Sequence, residues 1–145
     1  MIQRKQSIWL LIAALLSAGL FCFDIYHAHV AVNGTDTIAY IRINDDYPLL
    51  LIALVLTILP LVTIFMFRNR KRQRSMAIFN VVACIGFISA ALMRVTNFMN
   101  KQPAATNGTY WIGAVLPLLS MVFIIMAIRG INKDEKLVKS QDRLR

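Results

Sequence analysis

Asp24, His27 and His29 are the residues of this 145-residue chain whose types and spacing come nearest to chemistry. A carboxylate three positions before an imidazole, with a second imidazole close behind, offers oxygen and nitrogen ligands to a metal ion. No further acid or cysteine sits close by in sequence, and surface histidines are usually only solvated, so no metal site is assigned. Cys22 and Cys84 would form a redox pair only if they met, and four-helix thiol oxidoreductases commonly use Cys-x-x-Cys. Here the two thiols lie at different depths, roughly 10 Å apart at 1.5 Å per helical residue, so neither a disulfide nor redox chemistry is expected. Asn80 is the most polar side chain well inside an apolar run. Its amide suits an interhelical hydrogen bond, which contributes about 0.6 kcal/mol on average and at most about 2.

The elements that would position these groups are long apolar runs. Hydrophobic residues make up 58% of the chain and charged residues only 16%, far from the balance of a soluble domain. Four runs, about 7–23, 47–67, 76–93 and 110–128, contain no Asp, Glu, Lys or Arg. A helix needs about 20 apolar residues to cross a bilayer core, with a range of about 17 to 25, so each run is read as a span. The fold class expected is an all-α integral membrane protein, a four-span bundle forming a single membrane domain. Arg4 and Lys5 before the first run suggest a signal peptide. No small-x-small cleavage site follows at Phe21 to Asp24, however, and Gly19-Leu20-Phe21 is not the small-residue run that precedes a lipidated cysteine.

A charge at the centre of a span costs about 2.5 to 3.5 kcal/mol even on the mildest scale, and intramembrane catalysts and proton-coupled exporters accept that cost. This chain has no such residue; Asp24, the nearest acid, falls at the end of the first run. The expectation is therefore a non-enzyme, with no catalytic residue, no cofactor and no metal.

All but three (Arg42, Arg94, Lys101) of the 16 Lys and Arg residues flank the spans on one side. By the positive-inside rule that side is cytoplasmic, which places both termini there. The basic groups Arg68, Arg70, Lys71, Arg72 and Arg74 between spans two and three, with Lys133, Lys136, Lys139, Arg143 and Arg145 after span four, are the candidate lipid- or partner-binding residues. A net charge of +9 also admits nucleic acid, but the basic groups flank spans and carry no interleaved stacking aromatics. No nucleic-acid partner is expected.

Between spans one and two, His27 to Val32 and Thr37 to Ile43 alternate and are rich in β-formers. They bracket Asn33-Gly34-Thr35-Asp36, so a short outer β-hairpin is expected. The segment Arg94 to Thr109, with Pro103 and Asn107-Gly108, reads as a loop with a frayed helix end. Asn33 and Asn107 match glycosylation acceptors, but Asn-Gly is read here as turn chemistry. Arg94 is a candidate interfacial ion-pair partner for Asp24 at the same depth. Pro60 and Pro117 should kink spans two and four, with Thr57, Thr63 or Ser120 relieving the freed carbonyls. Ala14 and Ala18 in span one, with Gly86 and Ala90 in span three, suggest that these two spans touch or form an oligomer contact.

Residues 129–145 form a basic tail in which Glu135, Lys139 and Arg143 recur every four positions, while Leu137, Val138 and Leu144 could line one side of a helix continuing span four. Such a tail serves as a solvated anchor, or lies on anionic headgroups at about 1 kcal/mol per basic residue, or binds a cytoplasmic partner. Met1-Ile2-Gln3-Arg4 entering span one, Lys133-Asp134-Glu135-Lys136-Leu137-Val138, and the ending Asp142-Arg143-Leu144-Arg145 resemble an uncharacterised four-span membrane protein family of Bacteroidota-type bacteria. Tyr47-Pro48 and Tyr110-Trp111, opening spans two and four, extend the resemblance over the whole chain. It implies a cell inner membrane location and a retained first span, and transfers no activity, because the family is a domain of unknown function. The leading functional expectation is a non-enzymatic interaction or assembly subunit, contacting the bilayer and another membrane complex or itself. The alternative is a small transporter or channel acting as a homo-oligomer.

Overall fold

The computed structural model describes residues 5–32, 35–67, 69–102 and 105–142. Its helices are α1 (Lys5–Gly19), α2 (Tyr47–Phe65), α3 (Arg70–Lys101) and α4 (Ile112–Asp142), and its strands are β1 (Tyr26–Val32), β2 (Thr35–Ile41) and β3 (Ala105–Tyr110). Three helical segments, 47–65, 70–101 and 112–135, are long and apolar enough to cross a membrane; α1 is apolar but shorter. No more than a third of each spanning window is buried inside the protein, at 28%, 28% and 33%. The outward faces, with Leu51 at 62% exposure, Phe65 at 77% and Val82 at 58%, are as apolar as the interior.

The helices pack in a ring in which each touches its sequence neighbour and α4 closes on α1. The short connection of residues 66–69 makes α2 and α3 antiparallel neighbours, because a helix that turns back at once lies against the one before it. Each helix turns one stripe inward at helical spacing: Leu10, Ala13 and Ser17 on α1; Leu49, Ala53, Leu56, Pro60 and Thr63 on α2; Ala77, Asn80, Cys84 and Phe87 on α3; Leu116, Ser120, Ile124, Ala127 and Ile131 on α4. One fully buried alanine per helix (Ala13, Ala53, Ala77, Ala127) lets the backbones approach, the usual device where lipid supplies no hydrophobic drive. Of the expected alternatives for spans one and three, direct contact or an oligomer contact, the first is not the main packing within the chain, where α1 and α3 each pack chiefly on α2 and α4. Gly86 faces open space, where an added Cβ would meet nothing within 4 Å.

The expected hairpin forms, pairing Tyr26 with Ile41 through Val32 with Thr35. Residues 33 and 34, the Asn-Gly of the expected turn, lie outside the described residues, as does the side chain of Asn107. The second loop departs from expectation, because α3 runs on to Lys101 and residues 105–110 form β3 on the other edge of β1, giving the order β2-β1-β3. Tyr110 therefore ends a strand and does not open a span. Asn107-Gly108 lies opposite Ala28 in a register shift between His27–Thr109 and His29–Thr106, so its local bend serves a β-bulge where a turn was expected. A Cβ on Gly108 would sit 1.7 Å from the Tyr26 hydroxyl, so only glycine lets β3 cross that ring.

Alternation along β1 decides which side chains face the helices. Tyr26, Ala28 and Val30 are buried, whereas His27 is half-buried and His29 exposed. Two backbone bonds fasten the base of the sheet to the start of α4, Trp111 to Ile25 at 2.9 Å and Gly113 to Asp24 at 3.0 Å, and a third, Ile25 to Ile41 at 2.9 Å, extends the β1–β2 pairing. The sheet caps one end of the helices, and the start of α3 and the far end of α4 lie at the other, basic end.

Candidate functional site

At the sheet end, a tight turn after Gly19 closes α1 through the N–H groups of Leu20, Cys22 and Phe23 and delivers Asp24 to the base of β1. One carboxylate oxygen accepts Arg42 Nε at 2.6 Å and the other lies 3.0 Å from His27 Nε2. His27 stacks on Trp111 (centroids 4.7 Å apart, planes at 22°) and meets Tyr40 edge-on at 4.8 Å, while the Arg42 guanidinium lies 5.4 Å from the Tyr40 ring centre. Burial pushes the Asp24 carboxyl up, but the hydrogen bonds and charges of Arg42 and His27 outweigh it and hold it below the usual carboxylate range. The same pairing raises the Arg42 guanidinium further above its ordinary value.

This geometry revises the candidate pair of Asp24 with Arg94. Arg94, near the end of α3, instead pairs with Asp46, which precedes α2. The cause is the hairpin, because β2 returns antiparallel beside β1 and brings Arg42 back to Asp24, and no spacing in the sequence reveals that pairing. His29 is exposed on the same face of β1 as His27, but among the described residues no group of three or more His, Cys, Asp or Glu side chains is arranged to hold a metal. A polar hollow of about 200 Å³ beside the turn is lined by Cys22, Asp24, Arg42 and Asn44, but its two charged members are already paired. Cys22 and Cys84 are both free thiols. The arrangement is a tie between turn, sheet and α4, and it presents no nucleophile aligned with a base.

At the basic end, Asn69 caps α3 by accepting the N–H of Arg72 at 3.2 Å. Lys71, Arg72, Arg74 and Lys133 are exposed and Arg70 is half-buried. Lys136 and Lys139 belong to α4, though their side chains, with Arg68, Arg143 and Arg145, lie outside the described residues. The Gln6 side chain donates to the Asp134 carboxylate, and a Cβ on Gly130 would sit 2.8 Å from the Gln6 side chain, so α1 and α4 are in close contact here. Sequence reasoning missed Gln6 and Asp134, whose contact spans 128 positions.

Inside, Ser120 donates to the Ala13 carbonyl at 3.1 Å, and Ser17 lies 3.0 Å from Ser120. Since the Ser120 proton is committed, Ser17 is the donor to Ser120. Gln73 donates to the Thr63 carbonyl at 3.2 Å. Thr57 and Thr63 turn back on Ala53 and Leu59, so neither hydroxyl serves the carbonyl freed by Pro60. Asn80 is fully buried, with both amide atoms unpartnered. Between α3 and α4 lies an apolar cleft of about 300 Å³, lined by Phe87, Ile88, Leu92, Val115 and Leu118 and flanked by Pro117. Such a lining suits hydrocarbon and offers nothing to orient a polar substrate.

These features define a mostly helical protein with three membrane-compatible helices, a sheet cap and a polar tie beneath it. The chain belongs to the family described as domain of unknown function DUF4293, which matches residues 2–144. No curated protein matches it.

Proposed function

We propose that this protein is a four-span integral membrane protein of the cell inner membrane, with both termini cytoplasmic, acting as a non-enzymatic subunit that binds another membrane complex through its basic end. The observation that carries this reading is the length of α4, which continues past its apolar window as a charged helix to Asp142. Beyond the spanning segment, residues 136–142 add about 10 Å of helix at 1.5 Å per residue. This extension lies at the same end of the helices as exposed Lys71, Arg72 and Arg74, where a docking arm would project. A fourth crossing by α1 is supported by its pairing along α4. Gln6 meets Asp134 and the Asp24 carbonyl accepts Gly113, so residues 6–24 run beside the whole apolar length of α4. The interior favours a subunit over an enzyme, because the buried polar side chains of the described core are uncharged: Ser17, Thr63, Gln73 and Ser120 bond one another or backbone, Gln6 bonds Asp134, and Asn80 is an amide without a partner.

The test is purification of the tagged protein from its native membrane in mild detergent, comparing the full chain with one ending at Asn132. A partner recovered with the full chain and lost with the truncation is the expected result. Recovery of the protein alone in both cases would overturn it.

A second reading, a small transporter or channel acting as a homo-oligomer, draws on the buried Pro60 break beside the uncharged but unpartnered Asn80. Flux in reconstituted vesicles that disappears with Pro60→Ala would favour it.

A further inference from the structure

Two irregularities in the middle of the protein fall at the same depth. Pro60, buried inside α2, has no N–H, so the carbonyl of Leu56 loses the donor that every regular helical position supplies. Asn80 on α3 is 0% exposed, and neither its Nδ2 nor its Oδ1 has a partner. A buried amide in that condition is strongly unfavourable inside an apolar helix packing.

A printed contact elsewhere on the same helix pair fixes the register between them. Gln73 Nε2 donates to the Thr63 carbonyl at 3.2 Å, and α2 and α3 are antiparallel neighbours joined by a short connection. Seven residues are two helical turns and return to nearly the same face. Moving seven positions toward the sheet leads from Gln73 to Asn80 on α3 and from Thr63 to Leu56 on α2. All four residues lie on the buried stripes of their helices, each at 2% exposure or less. The Gln–carbonyl contact at the basic end thus has a counterpart two turns deeper, with Asn in place of Gln and opposite the one α2 carbonyl that proline deprives of its N–H. Asparagine is one methylene shorter than glutamine, so at this register its amide reaches less far toward α2 and leaves a gap, in keeping with its lack of a partner.

We infer that this gap is a hydration site, in which a water molecule accepts from Asn80 Nδ2 and donates to the Leu56 carbonyl. Buried waters sit where two to four polar groups otherwise lack partners, and this pair supplies a donor and two acceptors, the second being Asn80 Oδ1. The site lies about 15 Å along α3 from Arg70, deep among the spans, and it makes the Pro60 break in α2 and the polar residue of α3 one unit. The proposal is independent of whether the basic end binds a partner.

The full-length chain, labelled with ¹⁵N-asparagine in deuterated micelles, tests it through cross-relaxation between water and the Asn80 side-chain amide. The expected result is a water cross-peak that is lost in Pro60→Ala, where the restored N–H occupies the Leu56 carbonyl. Absence of the peak, or a peak unchanged in Pro60→Ala, overturns the proposal. A stability cycle gives a second readout. Asn80→Leu should lower the unfolding midpoint in the wild-type background and leave it unchanged or raised in the P60A background. Equal shifts in both backgrounds overturn the site, and coupling without a water cross-peak overturns the water in favour of direct contact.

Discussion

Ser17 of α1 and Ser120 of α4 share a 3.0 Å hydrogen bond with no solvent access, and Ser120 passes its own proton to the backbone of Ala13. The two hydroxyls therefore act in sequence and are unequal. Ser120→Ala removes both bonds and leaves Ser17 without its acceptor, whereas Ser17→Ala leaves the Ser120–Ala13 bond intact. Unfolding in mixed micelles should show Ser120→Ala as the costlier change, near the upper end of the interhelical range of about 0.6 to 1.7 kcal/mol. The double variant should cost no more than Ser120→Ala alone, and additive costs would contradict this order.

Glycine tolerance should divide by environment. A Cβ on Gly113 would lie 2.5 Å from the Asp24 carbonyl oxygen, a backbone atom fixed by the turn after α1. Gly113→Ala should destabilise by about 1 to 3 kcal/mol, the usual range for overpacking. Gly86→Ala, facing open space, should be neutral or slightly stabilising. The same unfolding assay on both variants decides, and equal losses would refute the contact.

The sheet-end tie should be acid-sensitive through Asp24. Its carboxyl is held below the ordinary value in the folded protein, so its pairing contributes fully above the unfolded value of about 3.9 and is lost as pH falls through the depressed folded value. Trp111, stacked on His27, reports the change. In a Trp9→Phe background its fluorescence should shift below about pH 4, and Asp24→Asn should already show the shifted signal at neutral pH. An identical acid transition in Asp24→Asn would exclude Asp24 as its source.

Charge pairing offers a direct check on the cap. Double-mutant cycles should give coupling between Asp46 and Arg94 of about 0.2 to 1 kcal/mol, as for partly exposed pairs, and coupling between Asp24 and Arg42. The cycle of Asp24 with Arg94 should give none, because each is engaged elsewhere.

Much of the architecture was legible because it is written locally. Uninterrupted apolar runs mark α2 to α4 whatever they pack against, since lipid demands length and apolarity alone, and alternation around Asn33-Gly34 specifies the hairpin between neighbouring segments. The helical continuation of α4 follows from the four-residue spacing of its charges. What failed to show was long-range. β3 carries Asn107-Gly108, which reads as a turn, and only Tyr26 beneath Gly108 makes it a bulge.

By itself, then, the sequence determined which segments are apolar enough for a membrane, where the positive charge gathers, and that the first loop folds on itself, all properties of neighbours along the chain. Tertiary structure alone decided that Arg42 and not Arg94 meets Asp24, that Gln6 reaches Asp134, and that Asn80 is sealed in without a partner. Those outcomes depend on how the helices stand around one another and how the sheet closes over them, and packing geometry leaves no periodic trace in a single chain.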